Sequence, residues 1–83
     1  MIELKKDQKA QRQLKTQLRS VESRLERLNE KLKTVETDLA DSQLYEGDQA
    51  DKLHDLVRSR QNLQDEIELA EEDWLKLSEQ LEE

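Results

Sequence analysis

Leu14, Leu18, Val21, Leu25, Leu28, Leu32, Val35 and Leu39 recur at intervals that alternate between four and three residues. An apolar residue every 3.5 positions keeps one stripe on one side of a slightly underwound helix, the mark of a left-handed coiled coil. A second stripe follows, made of Leu53, Leu56, Arg60, Leu63, Ile67, Ala70, Trp74, Leu77 and Leu81, stepping by three and four. Only Arg60 interrupts it. Val57, Leu69 and Leu75 lie off the stripe and make no second one. Little else is open to the chain. It has 83 residues, one Gly and no Pro, so the turns of a sandwich or barrel cannot be made. Charged residues are 42% of it, and the only aromatics are Tyr45 and Trp74, so a wide aromatic core is excluded.

The stripes part at Ala40–Asp48, which holds Gly47, the one glycine. The spacing predicts helix one over about 4–40, a tip over about 41–48 and helix two over about 49–83. Asp48 reads as the N-cap of helix two, with Asp51 in the first turn, where carboxylates suit the helix dipole. So short a connection returns the second helix antiparallel to the first. The register can be tested by arithmetic. Leu39 should face Leu53, Val35 should face Leu56, and so on through Leu32 and Arg60, Leu28 and Leu63, Leu25 and Ile67, Val21 and Ala70, Leu18 and Trp74, and Leu14 and Leu77. The residue numbers of every pair add to 91 or 92, so the stripes match without a slip. Residues 1–10 should overhang. Arg60 reads as a register-fixing residue that reaches out toward Glu36. The expected fold is all-α: a two-helix antiparallel coiled-coil hairpin, 1–83, of marginal to moderate stability. Self-association into a four-helix bundle is left open.

Charge is divided along the chain. Residues 1–35 carry ten basic and five acidic side chains, a balance of +5, and residues 36–83 carry four and sixteen, a balance of −12. Such a split suggests two segments that meet each other, or an end that meets a polyanion. With no cysteine, disulfides and thiolate metal sites are excluded. No apolar run exceeds two residues, so no membrane span and no secretory signal is expected. His54, the lone imidazole, offers too few ligands for a metal. Glu71, Glu72, Asp73, Glu82 and Glu83 lack the pocket that acid–base catalysis needs, and no catalytic residue is expected.

Two places remain as candidate sites. Lys5, Arg12, Arg19 and Lys33 share one heptad position, with Glu26 interrupting the row. Lys15 sits on the same flank, and Lys6 and Lys9 thicken the strip. Lys5, Lys6, Lys9, Arg12, Lys15 and Arg19 are therefore the candidate nucleic-acid contacts, able to track phosphates without reading sequence. Spacing alone favours a solvated face balanced by the acidic arm, since no aromatic interleaves the strip. At the tip, Leu44 and Tyr45 are expected to fold back as a plug on Leu39 and Leu53, the alternative being an apolar contact surface beside Gly47.

Asp41-Ser42-Gln43-Leu44-Tyr45 resembles the D-P/S-x-L-Y turn in the C-terminal hairpin of the F subfamily of ATP-binding cassette (ABC) proteins. Lys5-Lys6-Asp7-Gln8-Lys9 is similar to the K-K-[DE]-Q-K stretch that leads into that hairpin, and Trp74 to Leu81 to its W-L-x-L-x-E-x-L end. The likeness covers nearly the whole chain. It departs in lacking the Pro that many relatives carry after the tip Asp or near the start of helix one. The resemblance implies a fragment of a soluble, cytoplasmic ATPase that acts in translation at the ribosome, with C-terminal hairpins linked to RNA or DNA. ATP and Mg would then bind the parent's own cassette domains, since Walker motifs are absent from this sequence. The resemblance raises nucleic-acid contact by the strip above the solvated-face reading. The alternative is a purely structural or dimerising coiled coil. A third reading is an RNA-gripping arm of some other enzyme.

Overall fold

The computed structural model describes the backbone of residues 2–82 and the side chains of residues 8–81. The side chains of Lys5 and Lys6, and most of the expected overhang at 1–10, lie outside the described side chains. The chain is an all-α hairpin of two helices, α1 (Ile2–Leu39) and α2 (Ala50–Glu82), joined through a short 3₁₀ turn, Ser42–Tyr45. The helices run side by side as a rod of 70 × 15 × 14 Å.

The apolar stripes become the interface. Leu28, Ile67 and Ala70 form its buried centre, with Val21, Leu25, Leu32 and Leu63 packed around them. Three of the predicted facing pairs, Leu28 with Leu63, Leu25 with Ile67 and Val21 with Ala70, fall within this one cluster. Ala70 is the least exposed residue of that centre at 3%, where a small side chain lets the helices close up. Seam residues away from it, including Leu14, Leu18, Val35, Leu53 and Leu56, are half-buried. A two-helix rod has only one other helix to hide against, so a stripe is covered on one side and wetted at both edges. Arg60 is exposed, and Leu32, its facing residue, is half-buried. The interface is unsealed beside that layer, where an open depression is lined by Lys31, Thr34, Val35, Ser59, Asn62 and Leu63.

The tip has its own small construction. At the end of α1 the Ala40 N–H is shared between the carbonyls of Glu36 and Thr37, at 3.0 and 3.2 Å, and the helix tightens. Asp41 turns extended, with φ −70° and ψ 119°. Its Oδ1 accepts the Gln43 N–H at 3.0 Å, and its carbonyl accepts that of Leu44 at 3.1 Å. An Asp in this position therefore caps the 3₁₀ turn as it would an α-helix. The turn drives Leu44 inward, where it is 6% exposed near Leu39 at 9%. Tyr45 departs from the expected plug: its ring is 61% exposed. The hydroxyl explains this, since it donates to the Leu39 carbonyl at 2.6 Å. That carbonyl lies in the last turn of α1, where carbonyls lack helical partners and no basic side chain stands by. The hydroxyl supplies the missing donor, and holding it there leaves the ring outside. The expected cap also moves by one residue. α2 begins at Ala50, and the Gln49 carbonyl accepts the Leu53 N–H at 2.9 Å, so Gln49 and not Asp48 holds the N-cap position.

Gly47 takes φ +69°, and a Cβ there would meet nothing within 4 Å. A side chain is thus opposed by the backbone alone and not by crowding. Gly47→Ala should destabilise the hairpin by about 1–2 kcal/mol, and Gly47→Asn by less, since Asn tolerates the left-handed region. Urea midpoints followed by circular dichroism measure both. Equal midpoints for Ala and Asn would show that the backbone of this turn is not what limits stability.

Candidate nucleic-acid interface

In α1 the seam residues Leu14, Leu18 and Val21 face α2. Arg12 and Arg19 sit one position after the seam line in the heptad, Lys15 one position after Leu14, and Lys9 farther round the back. All four side chains are exposed. Because α-helical neighbours lie three and four residues apart, Lys9 to Arg12, Arg12 to Lys15 and Lys15 to Arg19 form one continuous row. It runs for about 15 Å along the rod. The local helix is well formed here: the Thr16 hydroxyl donates to the Arg12 carbonyl at 2.9 Å. A shallow depression among Lys9, Arg12, Gln13, Thr16 and Gln17 lies along the row.

The row follows one flank of the basic helix, whereas Asp65, Glu68, Glu71, Glu72, Asp73 and Glu79 are exposed on α2. The rod is therefore charged unequally across its width. Such a surface can hold a chain of phosphates on one side and would repel it on the other. The tip is acidic as well. Asp38 and Asp41 line a depression of about 150 Å³ there, with Gln43, Leu44, Gln49 and Lys52. Of the tip residues singled out from sequence, Leu44 closes the core, Tyr45 is presented to solvent and Gly47 makes the bend.

One neighbour of the row was not legible on α1 itself. The indole N–H of Trp74, on α2, donates to Glu22 Oε1 at 3.3 Å. The ring is 36% exposed, and Leu75 beside it is 54% exposed. An aromatic group is thus brought to the same flank as Lys15 from the other helix, through a bond to Glu22, 52 residues from Trp74 in sequence. The register gave the signal: Trp74 faces Leu18, one residue before Arg19.

Among the described residues no group of three or more His, Asp or Glu side chains is placed to hold a metal ion. Nor, among those residues, is any helix long and apolar enough to cross a membrane. His54 is exposed on α2.

Residues 8–79 match the family model for the ABC transporter C-terminal domain. The match takes in Lys9, Arg12, Lys15, Arg19, the tip and Trp74, and begins after Lys5 and Lys6. No curated protein and no solved structure matches the chain.

Proposed function

Because the chain belongs to the ABC transporter C-terminal domain family, we propose that it is the C-terminal hairpin of a soluble, cytoplasmic ABC ATPase of the F-subfamily type. In this reading it contacts ribosomal RNA or DNA through the basic strip on α1 and so supports the parent protein's work in translation. The observation that carries the proposal is the exposed row of Lys9, Arg12, Lys15 and Arg19 on α1, in a stretch, 8–21, that holds no carboxylate. Lys5 continues the heptad position of Arg12 and Arg19 toward the N-terminus and Lys6 thickens the strip beside it; both belong to the proposal on sequence alone.

ATP and Mg have no place in these residues. The one glycine, Gly47, stands between Glu46 and Asp48, the wrong charge for a loop that cradles phosphates. Hydrolysis belongs to the parent's cassette domains, and the hairpin's part is to hold a polyanion beside them. Contacts of this kind position a partner and carry no sequence information.

Fluorescence anisotropy tests it directly. Labelled structured RNA and labelled duplex DNA are each titrated with the chain at two salt concentrations. Binding should fall steeply with salt, and the preferred ligand tells ribosome from chromosome. No binding of either at low salt would leave the hairpin a structural element.

A further inference from the structure

Burial along the interface falls away toward the open end of the rod. Leu28, Ile67 and Ala70 at the centre are 3–8% exposed, whereas Trp74 on the same stripe is 36% exposed; Leu75, off the stripe beside it, adds an apolar side chain that is 54% exposed. Leu14, Leu18, Leu77 and Leu81 of the same end are half-buried. The sequence stripe continues to that end without a break, so the apolar surface is present there but incompletely covered.

Its surroundings are ordered by charge. The Trp74–Glu22 hydrogen bond marks one flank of the hairpin. On α1 the heptad places Arg12, Lys15 and Arg19 on that flank. On α2 it places Glu68, Glu71 and Leu75 there, with Glu79 one position farther round. All seven are exposed. By the antiparallel register, Arg12 to Arg19 stand level with residues of about 73–80. A single flank thus carries cations on one helix and, at nearly the same height, an apolar pair bracketed by carboxylates on the other.

We propose that this flank is a docking surface for a second copy of the chain, in a closed dimer with the two rods parallel. A half-turn about the long axis lays α1 of each copy over α2 of the other at unchanged height. The contact then forms twice and leaves no unpaired surface to propagate, as a two-fold interface must. Arg12, Lys15 and Arg19 approach the carboxylates of the partner's α2. Their aliphatic stems cover Leu75 and the open edge of Trp74, which charged side chains with long stems do readily. The opposite charges of the two helices also choose the arrangement. Helix one on helix one would oppose like charges, and only helix one on helix two satisfies both.

The dimer uses three of the six cations assigned to nucleic acid. It therefore competes with polyanion for the same residues, and self-association would regulate access to the strip. The dimer itself rests on the charge and burial of this flank, not on the nucleic-acid reading, and either can fail alone.

Sedimentation velocity of the 83-residue chain, from micromolar to near-millimolar concentration, tests it without any nucleic acid. The chain should pass from monomer to dimer, with a dissociation constant that rises at least tenfold at high salt. Arg12→Glu, Lys15→Glu and Arg19→Glu combined should give a monomer. So should Glu68→Lys, Glu71→Lys and Glu79→Lys combined. An equimolar mixture of the two variants should recover the dimer. Leu75→Lys, at a position outside the hairpin core, should weaken it at least tenfold while helicity measured by circular dichroism stays the same. A chain that is monomeric throughout the range overturns the proposal. So does a mixture that fails to associate while both variants remain helical, or a Leu75→Lys chain that dimerises like the original.

Discussion

Leu28→Asp is expected to abolish the helical circular-dichroism signal of the chain at 25 °C. Leu28 is 5% exposed and lies in the one cluster, with Ile67 and Ala70, where the two helices cover each other well. Removing a buried leucine side chain costs about 2–5 kcal/mol, and an unpaired carboxylate in its place adds several more. A single small core of this size supplies only about 3–5 kcal/mol in all. The loss exceeds what holds the hairpin together. Leu69→Asp is the matched control, since Leu69 is 62% exposed and the same charge there meets water. Retention of a cooperative melt by Leu28→Asp would mean that the central cluster is not the seat of stability. A melt of Leu69→Asp as poor as that of Leu28→Asp would say the same of the burial argument.

The second large effect concerns the basic row. Replacing Lys9, Arg12, Lys15 and Arg19 together by Gln should weaken polyanion binding at least tenfold, with helicity unchanged. The salt dependence is the sharper reading. Each phosphate contact on duplex DNA contributes about 0.9 to the slope of log affinity against log salt, so four lost contacts flatten it by up to about 3.6. Titrations of the original and the four-Gln chain at several salt concentrations give both slopes. Equal slopes would remove the row from the interface, whatever the affinities. Glutamine keeps most of the length and helix propensity of the replaced side chains, so the comparison isolates charge.

Most of the fold was legible in advance because its information is one-dimensional. A stripe that repeats every 3.5 residues, broken once, has only one way to fold back on itself without a slip. The grouping of Val21, Leu25, Leu28, Leu63, Ile67 and Ala70 is that pairing made physical. The tip was less legible, for a chemical reason. Tyr45 carries both an apolar ring and a donor, and sequence does not say which finds the better partner. A partnerless carbonyl at the end of α1 decided it. The start of α2 was read one residue early because an acidic side chain is a good cap wherever it falls. The backbone path beyond Gly47 instead presented Gln49.

The candidate site divides in the same way. Exposure of Lys9, Arg12, Lys15 and Arg19 followed from their distance from the stripe. The company of Trp74 did not, because it comes from the other helix and was read only as a core residue. Recognition of the ligand has no counterpart in the pattern, since a row of cations suits any phosphate backbone. The absence of carboxylates from residues 8–21, and their abundance on α2, tells which helix would meet such a ligand.

The length of the rod has a mechanical meaning. Two long helices locked together at mid-length make a stiff beam of 70 Å and little more than a fifth of that in width. Anchored at its open end, such a beam works as a lever: a few degrees of tilt at the anchor sweep the Tyr45 tip through several ångströms. A small rearrangement at one end is thereby converted into a large displacement at the other, with no hinge between them to absorb it. The same stiffness works in reverse, so that a load on the tip is felt as torque at the anchor.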